Sequence, residues 1–547
     1  MTSFLNRMKI PLQSKSTENI DLTVPILKKG GTVVGKYDGF NGEDIAYISN
    51  DSHILCIGAT RSGKTRTVVL QSIGLQALSG ENIICSDPKG ELYGYTYPFL
   101  ERLGYKVLTL DFKNPLKSSR YNFLNVVSEY TKQGDTPRAI DAAWNITSSL
   151  VPDDSHNEKL WSNGEQAVIG AAIMAVVCDN QKNPEYQNLT NVYHFIAEMC
   201  KTVDGDLLLN KYSKTLSDNH PARALLAVAE VAPSKTRGSF FTSALTTLRL
   251  FTNPYISDMT NASEITAEDM DKQKTALFII LPDEKTTYYS LAALFVNQIY
   301  ERFVEIADLR GGRLINRVNF NLDEFGNFMK IPDFTNKLTV GAGRGIRFNL
   351  YVQDNAQIEE KYGDKSATTI KSNCHTWVYL QSDDPATQKL MSEKLGNYTV
   401  ATSSHSTQYN GAGFNPGNIS ASSNLTGRPL LTPDEINRIK RPYTLVTTRS
   451  HPAIMHSPDL HKWYFNKMFG LGNEEHNRMV REERENRRPK REISGDTPLW
   501  GIWNAFSSPK RDYRSSVLGS QHVPEDVKKS RKDEIQDEIK KNYQQKN

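Results

Sequence analysis

Residues 58–65 read Gly58-Ala59-Thr60-Arg61-Ser62-Gly63-Lys64-Thr65, which is the G-x-x-x-x-G-K-[ST] spacing of a Walker A phosphate loop. Gly58 and Gly63 permit backbone angles that bring successive N–H groups round a triphosphate. Lys64 is a point charge for the β/γ oxygens, and Thr65 offers a hydroxyl to Mg²⁺. Binding a triphosphate is not cleaving it; cleavage needs a carboxylate near the phosphates. The apolar run 318–322 ends in Asp323 and Glu324, where Asp323 can hold the Mg²⁺ shell and Glu324 can polarise the attacking water. Gln353 closes the strand-like run 347–352, and its amide is suited to sensing the γ-phosphate. Arg344 sits in the glycine-rich turn 341–345. From there it can reach a nucleotide held by a neighbouring subunit and neutralise transition-state charge; Arg347 is a rival for that role.

These residues need elements to hold them. The run 53–57 reads as a short buried strand feeding the loop, and Val68, Val69, Ile73, Leu75 and Leu78 recur at helical spacing after it. Further buried-strand patterns lie at 82–87, 105–110, 276–281, 318–322, 347–352, 375–380 and 443–447. Strands alternating with helices predict an α/β fold, a parallel sheet covered on both faces. Asp87-Pro88-Lys89-Gly90 lies just past a strand expected to neighbour the Walker strand. Ligands gather at the carboxyl ends of parallel strands, so Asp87 and Lys89 are expected near the nucleotide or a subunit interface; a plain strand-to-helix turn accounts for them as well.

Four regions emerge from the pattern. Residues 1–50 read as a β-rich lead-in, and 51–130 with 255–470 as the nucleotide-binding domain. Residues 131–254, where strand signals vanish, read as an all-α insertion. Residues 471–547 read as a charged, partly disordered tail. Within the tail, 499–506 (LWGIWNAF) is an aromatic island, suited to docking a partner, to touching a membrane surface or to packing back on the body. Residues 403–424, rich in Ser, Asn and Gly, read as a mobile loop.

Bulk properties exclude little. The chain has 547 residues and a formal net charge of +4, too small to argue for or against a nucleic-acid partner. The five cysteines are far apart and read as reduced thiols. No window reaches the ~18 apolar residues of a membrane span; residues 167–178 are alanine-rich and read as a buried helix. The N-terminus lacks the apolar core of a signal peptide, so the chain is expected to be soluble by itself.

Several segments, in order, carry a resemblance. They are the Walker A loop, Ser86-Asp87-Pro88-Lys89-Gly90-Glu91-Leu92, Tyr121-Asn122-Phe123-Leu124, Leu322-Asp323-Glu324-Phe325-Gly326, Gly343-Arg344 with Gln353, and Arg428-Pro429-Leu430-Leu431-Thr432-Pro433-Asp434-Glu435-Ile436. In these the chain resembles the type IV coupling proteins of conjugation and secretion, the TraG/TraD-like branch of the FtsK–HerA motor ATPases. The resemblance implies a RecA-like P-loop NTPase sheet flanked by helices, ATP and Mg²⁺ as cofactors, and a homo-hexamer when active. It also implies single-stranded DNA carrying a relaxase as cargo, and a type IV secretion channel with its membrane subunits as partner. Two departures stand out: no N-terminal run reads as a transmembrane helix, and Phe123 replaces the proline of the family's YNPL-type segment. A cytoplasmic protein, peripheral at the inner face of the membrane through partner proteins, is therefore expected.

The implied activity is an ATP-driven pump of single-stranded DNA. A nucleotide-switched docking receptor without translocation, and an FtsK-like double-stranded DNA translocase, are the alternatives. DNA contact is least visible; the turn after Lys337 and the loop near Tyr409 are both candidates.

Overall fold

The computed structural model describes residues 5–9, 29–39, 42–151, 159–282, 284, 286–407, 419–449, 452–493, 495 and 497–507. Its strands are β1 (Leu5–Lys9), β2 (Thr32–Gly39), β3 (Gly42–Ile48), β4 (Ile54–Gly58), β5 (Asn82–Asp87), β6 (Lys106–Asp111), β7 (Thr202–Val203), β8 (Asp206–Leu207), β9 (Thr275–Ile280), β10 (Val318–Leu322), β11 (Ile346–Val352), β12 (Thr376–Gln381), β13 (Asn397–Thr407), β14 (Ile419–Pro429), β15 (Tyr443–Thr447) and β16 (Ala453–His456). One twelve-stranded sheet takes the order β1-β3-β2-β16-β15-β12-β4-β11-β10-β5-β9-β6. From β12 to β6 the strands are parallel, and from β15 outward to β1 they are antiparallel. The α/β expectation holds, as a mixed sheet rather than a parallel one.

The register of the central strands is set by polar side chains as well as apolar ones. β10 alternates Val318, Phe320 and Leu322 with Asn319 and Asn321, all buried. The two asparagines share one face, where buried polar side chains answer them. Asn349 donates to Asn321 at 2.7 Å, Asn321 to Gln76 at 2.8 Å and Asn319 to Glu81 at 2.8 Å. A one-residue slip would turn every one of these amides to the wrong face and leave it unpaired in the core. The network therefore fixes where β10 and β11 end, and so where Asp323, Glu324 and Gln353 begin.

Several expectations need correction. β5 does not neighbour β4: β11 and β10 lie between them. The lead-in is not separate, because β2 and β3 extend the same sheet. Among its described residues the inserted region has no strands besides the short β7–β8 hairpin and is mainly helical. Its long helix Lys159–Asp179 is buried from Ala171 to Val177, and among the described residues no helix is long and apolar enough to cross a membrane. Of the stretch read as a mobile loop, the described residues 403–407 and 419–424 lie in the antiparallel pair of β13 and β14. The side chains described there, 401–404 and 422–428, are exposed, so no core face imposes a strand period on them. Tyr409 lies outside the described residues.

The tail expectation also changes. The helix Glu474–Asn486 lies on the sheet's carboxyl edge, with Arg481 bound to Glu91 at 2.7 Å and Arg484 donating to the carbonyls of Gly94 and Tyr95. Arg488 enters the core and meets Asp111 at 2.7 Å, the two side chains 5% and 0% exposed. The aromatic island packs back on the helical region: Trp500 stacks on Phe195 with centroids 5.7 Å apart, and Asn191 bonds both Pro498 O and Trp500 N. Charge density suggested solvation here because a sequence does not show that an acid waits at the end of β6. Residues 508–547 lie outside the described residues.

Candidate active site

β4 delivers the chain to the carboxyl edge at Gly58, and the helix after the loop opens with a π turn, Thr65–Val69, before the α-helix Leu70–Leu78. Between them the loop curls back on itself, Ser62 N donating to Ala59 O at 3.0 Å and Thr67 N to Gly63 O at 2.8 Å. The left-handed positions are Arg61 (φ 66°) and Gly63 (φ 86°). Gly58 is needed for a different reason than its backbone angle: a Cβ there would stand 2.5 Å from Ser62 Oγ. Lys64 is 5% exposed, and its Nζ lies 3.4 Å from Gly58 O and 3.3 Å from Val352 O. It thus sits between the ends of β4 and β11, aimed along the floor of the loop.

Both acids converge on this lysine and its neighbour. Thr65 Oγ1 donates to Asp323 Oδ2 at 2.9 Å. Glu324 Oε1 stands 3.7 Å from Lys64 Nζ, and its Oε2 accepts from Gln353 Nε2 at 3.1 Å. Gln353 Oε1 in turn accepts from Thr60 Oγ1 at 3.2 Å. Neighbouring residues of a strand point to opposite faces, so two adjacent acids cannot both face the loop from a regular strand. Glu324 resolves this by adopting left-handed angles, φ 51° and ψ 42°. Such a conformation costs about 1–3 kcal/mol in a non-glycine residue and clusters at functional sites. Burial pushes the Asp323 carboxyl above its usual range, with Lys64 pulling it back and Glu324 adding to the rise. A hydroxyl and a buried carboxylate already in contact form the hard-oxygen set that suits Mg²⁺, so Thr65 and Asp323 are the residues that would hold it.

The other expected residues take different places. Asp87 is 1% exposed, and its Oδ2 accepts from Tyr93 N at 2.9 Å, serving the start of the helix Glu91–Arg102. Burial raises its carboxyl to about 7, against backbone N–H groups that lower it. The contact nearest the loop comes from its neighbour, Ser86, whose Oγ donates to Asp323 O at 2.7 Å. Lys89 is exposed and borders a separate concavity of about 360 Å³ shared with Lys113 and Arg481. Arg344 stands before β11, whose far end meets the loop. Seven residues separate the two ends, about 20 Å at strand spacing, so Arg344 does not join this chain's own site. Its guanidinium pairs with Asp308 at 2.9 Å. Arg347 is wholly buried and donates to Asn319 at 2.9 Å; burial lowers it to about 10. It is a core residue and no rival to Arg344. Lys337, beside one candidate DNA loop, is engaged with Glu301 at 3.1 Å.

Sequence reasoning missed two residues at the loop. Gln381 O, at the end of β12, accepts from Ala59 N at 2.7 Å. Arg441, two residues before β15, donates from Nε to Ser62 O and from Nη2 to Arg61 O, both at 2.6 Å. No motif marks either one, and only the pairing of β15 with β12 and of β12 with β4 brings them to the loop.

The chain is similar to known proteins along most of its length. The conjugal transfer protein TraG of Escherichia coli is 26% identical over 432 residues, 75% of this chain and 66% of that protein. VirD4 of Rhizobium radiobacter is 23% identical over 418 residues, 75% of this chain and 57% of its own length. The chain thus spans less than two thirds of these curated relatives. Among solved structures, the plasmid coupling protein TrwB in complex with ADP and Mg²⁺ superposes with a TM-score of 0.59 at 17% identity, covering 86% of this chain and 97% of that one, which supports the fold. Residues 4–486 match the family described as type IV secretory system conjugative DNA transfer, and the chain belongs to that family.

Proposed function

We propose that this chain is an ATP-hydrolysing coupling protein that delivers a DNA–relaxase or protein substrate to a type IV secretion channel and pumps single-stranded DNA. The observation that carries the reading is the convergence at one loop: Lys64 and Thr65 from one end of the chain meet Glu324 and Asp323 from a distant stretch, with Gln353 linking Glu324 to Thr60. A P-loop with a bare lysine would suffice to bind phosphate. Adding a carboxylate within reach of the lysine, held by an amide, supplies a group to orient and deprotonate water. Magnesium, when bound, neutralises charge on the β and γ oxygens.

In this reading Lys64 draws the terminal phosphates down against the ends of β4 and β11, and Thr65 and Asp323 hold the metal. Glu324 takes the proton of the attacking water, and Gln353 keeps its carboxylate in place. Arg344 acts on the neighbouring subunit's nucleotide in a homo-hexamer; its distance from its own loop supports a role in trans. Attachment to the inner face of the membrane through partner proteins belongs to the same reading.

ATP turnover measured with and without single- and double-stranded DNA, with mass determined in the same samples, tests it. Stimulation by single strands in a hexameric fraction, abolished by Lys64→Ala, is expected. A DNA-indifferent, slow activity would instead favour a nucleotide-switched docking receptor, and a preference for duplex an FtsK-like translocase.

A further inference from the structure

Arg441 is exposed and makes no ion pair among the described residues. Its two hydrogen bonds go to neutral backbone carbonyls of the phosphate loop, Ser62 O and Arg61 O at 2.6 Å each. An exposed guanidinium ordinarily keeps its water or finds a carboxylate; here its planar fork spans two successive peptide groups of the loop instead. The contact is close. A Cβ on Gly63 would stand 2.3 Å from Arg441 Nη2, 2.5 Å from Cζ and 2.6 Å from Nε, so the guanidinium occupies the space a side chain at Gly63 would need.

We propose that Arg441 is a positioning residue for nucleotide binding, which holds the outer carbonyls of the phosphate loop so that the Gly63 N–H faces the phosphates. The inference rests on the nucleotide-binding reading and extends it to a residue outside every motif. The reason lies in peptide geometry. In a trans peptide the C=O and N–H point in opposite directions across one rigid plane. Ser62 O and Gly63 N share such a plane, so a cation gripping the carbonyl from outside turns the N–H inward. Arg61 O and Ser62 N share the preceding plane, whose N–H closes the loop's internal bond to Ala59 O at 3.0 Å. With Arg61 at φ 66° and Gly63 at φ 86°, the loop between them has few other restraints: the Ser62 hydroxyl is buried without a partner among the described residues. β15 carries Arg441 to this place, and the same β12 that pairs with β15 binds Ala59 N through Gln381 O. The two grips come from neighbouring strand ends and clasp the loop on its outer side.

The test uses the full chain and the variants Arg441→Ala, Arg441→Lys and Lys64→Ala, with circular dichroism to compare folds. The probes are ADP and a non-hydrolysable ATP analogue in titrations, and ATP in steady-state turnover. For Arg441→Ala, KM for ATP and Kd for both probes are expected to rise about tenfold, with kcat at saturation within about threefold of the parent, because a pre-set loop acts on binding more than on chemistry. Arg441→Lys keeps the charge and loses the fork, so its KM should also rise by at least about threefold; this variant decides the matter if the alanine variant does not fold. Parent-like KM and Kd in Arg441→Ala, or full restoration by lysine, would overturn the proposal. Lys64→Ala serves as the separate control: if it still binds both probes as the parent does, the nucleotide-site reading itself is wrong, whatever Arg441 does.

Discussion

Replacing Glu324 by glutamine changes one charge and almost no volume, and the structure sets the consequences for binding and for turnover. Glu324 Oε1 lies 3.7 Å from Lys64 Nζ. The gross attraction between unit charges at that distance is about 1 kcal/mol in water and about 4.5 kcal/mol at an effective dielectric constant of 20. In the free protein, part of the lysine's charge is therefore engaged by the carboxylate, and a triphosphate must compete for it. Glutamine releases Lys64, while its carbonyl still accepts from Gln353 Nε2, now 3.1 Å from Glu324 Oε2. ATP affinity should hold or tighten, by up to about tenfold, the equivalent of about 1.4 kcal/mol. Hydrolysis should fall by about 10²–10⁴, the range a positioned general base supplies. Phosphate release at saturating ATP, with titration of a fluorescent ATP analogue on the same preparation, reads both numbers. Turnover within threefold of the parent in a folded Glu324→Gln protein would refute the assignment of Glu324 and the meaning given to its left-handed backbone.

Three other perturbations probe other parts of the reading. Arg344→Ala should leave nucleotide affinity of the isolated chain unchanged and cut hydrolysis in the assembled state by about 10³–10⁵; turnover followed against protein concentration separates the two. Arg488→Ala leaves Asp111 charged and buried, its partner at 2.7 Å gone, and should cost about 3–5 kcal/mol in urea denaturation; adding Asp111→Asn should recover much of it, and a cost under about 1 kcal/mol would mean that the segment after Glu474 is not part of the fold. The third concerns His53, whose Nδ1 accepts from Phe348 N at 3.0 Å while its Nε2 lies 2.6 Å from Leu338 O. Burial pushes its pKa down to about 4, so its contribution is present above the unfolded value near 6.5 and lost as pH falls toward 4. Asp87, raised to about 7, has the opposite sign, its contribution lost as pH rises through that value. The stability difference between parent and His53→Gln isolates the histidine and should shrink by about 2 kcal/mol from pH 7.5 to pH 5; a flat difference would contradict its buried, neutral state.

Much of the site was readable in the chain because its chemistry is local. The phosphate loop is a contiguous spacing, and Asp323 and Glu324 end an apolar run, so their residue types announce themselves. Strands β4, β5, β9, β10 and β11 were legible for the same reason: buried parallel strands are short, mainly apolar stretches, and the antiparallel β15 carries a similar short apolar run. The Asn319 and Asn321 side chains dilute that pattern without breaking it. Order was another matter. Nothing in the sequence said that β11 lies between β4 and β10, or that Asp87 would be buried against its own helix, because strand order depends on crossover connections and not on composition. The hairpin of β13 and β14 and the helix Glu474–Asn486 were hidden for opposite reasons: one has no core to reveal a period, and the other carries charges whose partners are hundreds of residues away.

The sequence by itself determined which groups this protein brings to its chemistry: a phosphate loop, a lysine, a hydroxyl, two acids and an amide. Tertiary structure alone decided which of them meet, since a contact such as Thr65 with Asp323 or Arg441 with Ser62 joins residues hundreds of positions apart. It also set Arg344 far from its own loop and drew Arg488 of the charged tail into the core. The physical reason is that a side chain's chemical identity is carried by one residue, whereas its distance to a partner is fixed by sheet order, register and packing, which only the folded chain as a whole specifies.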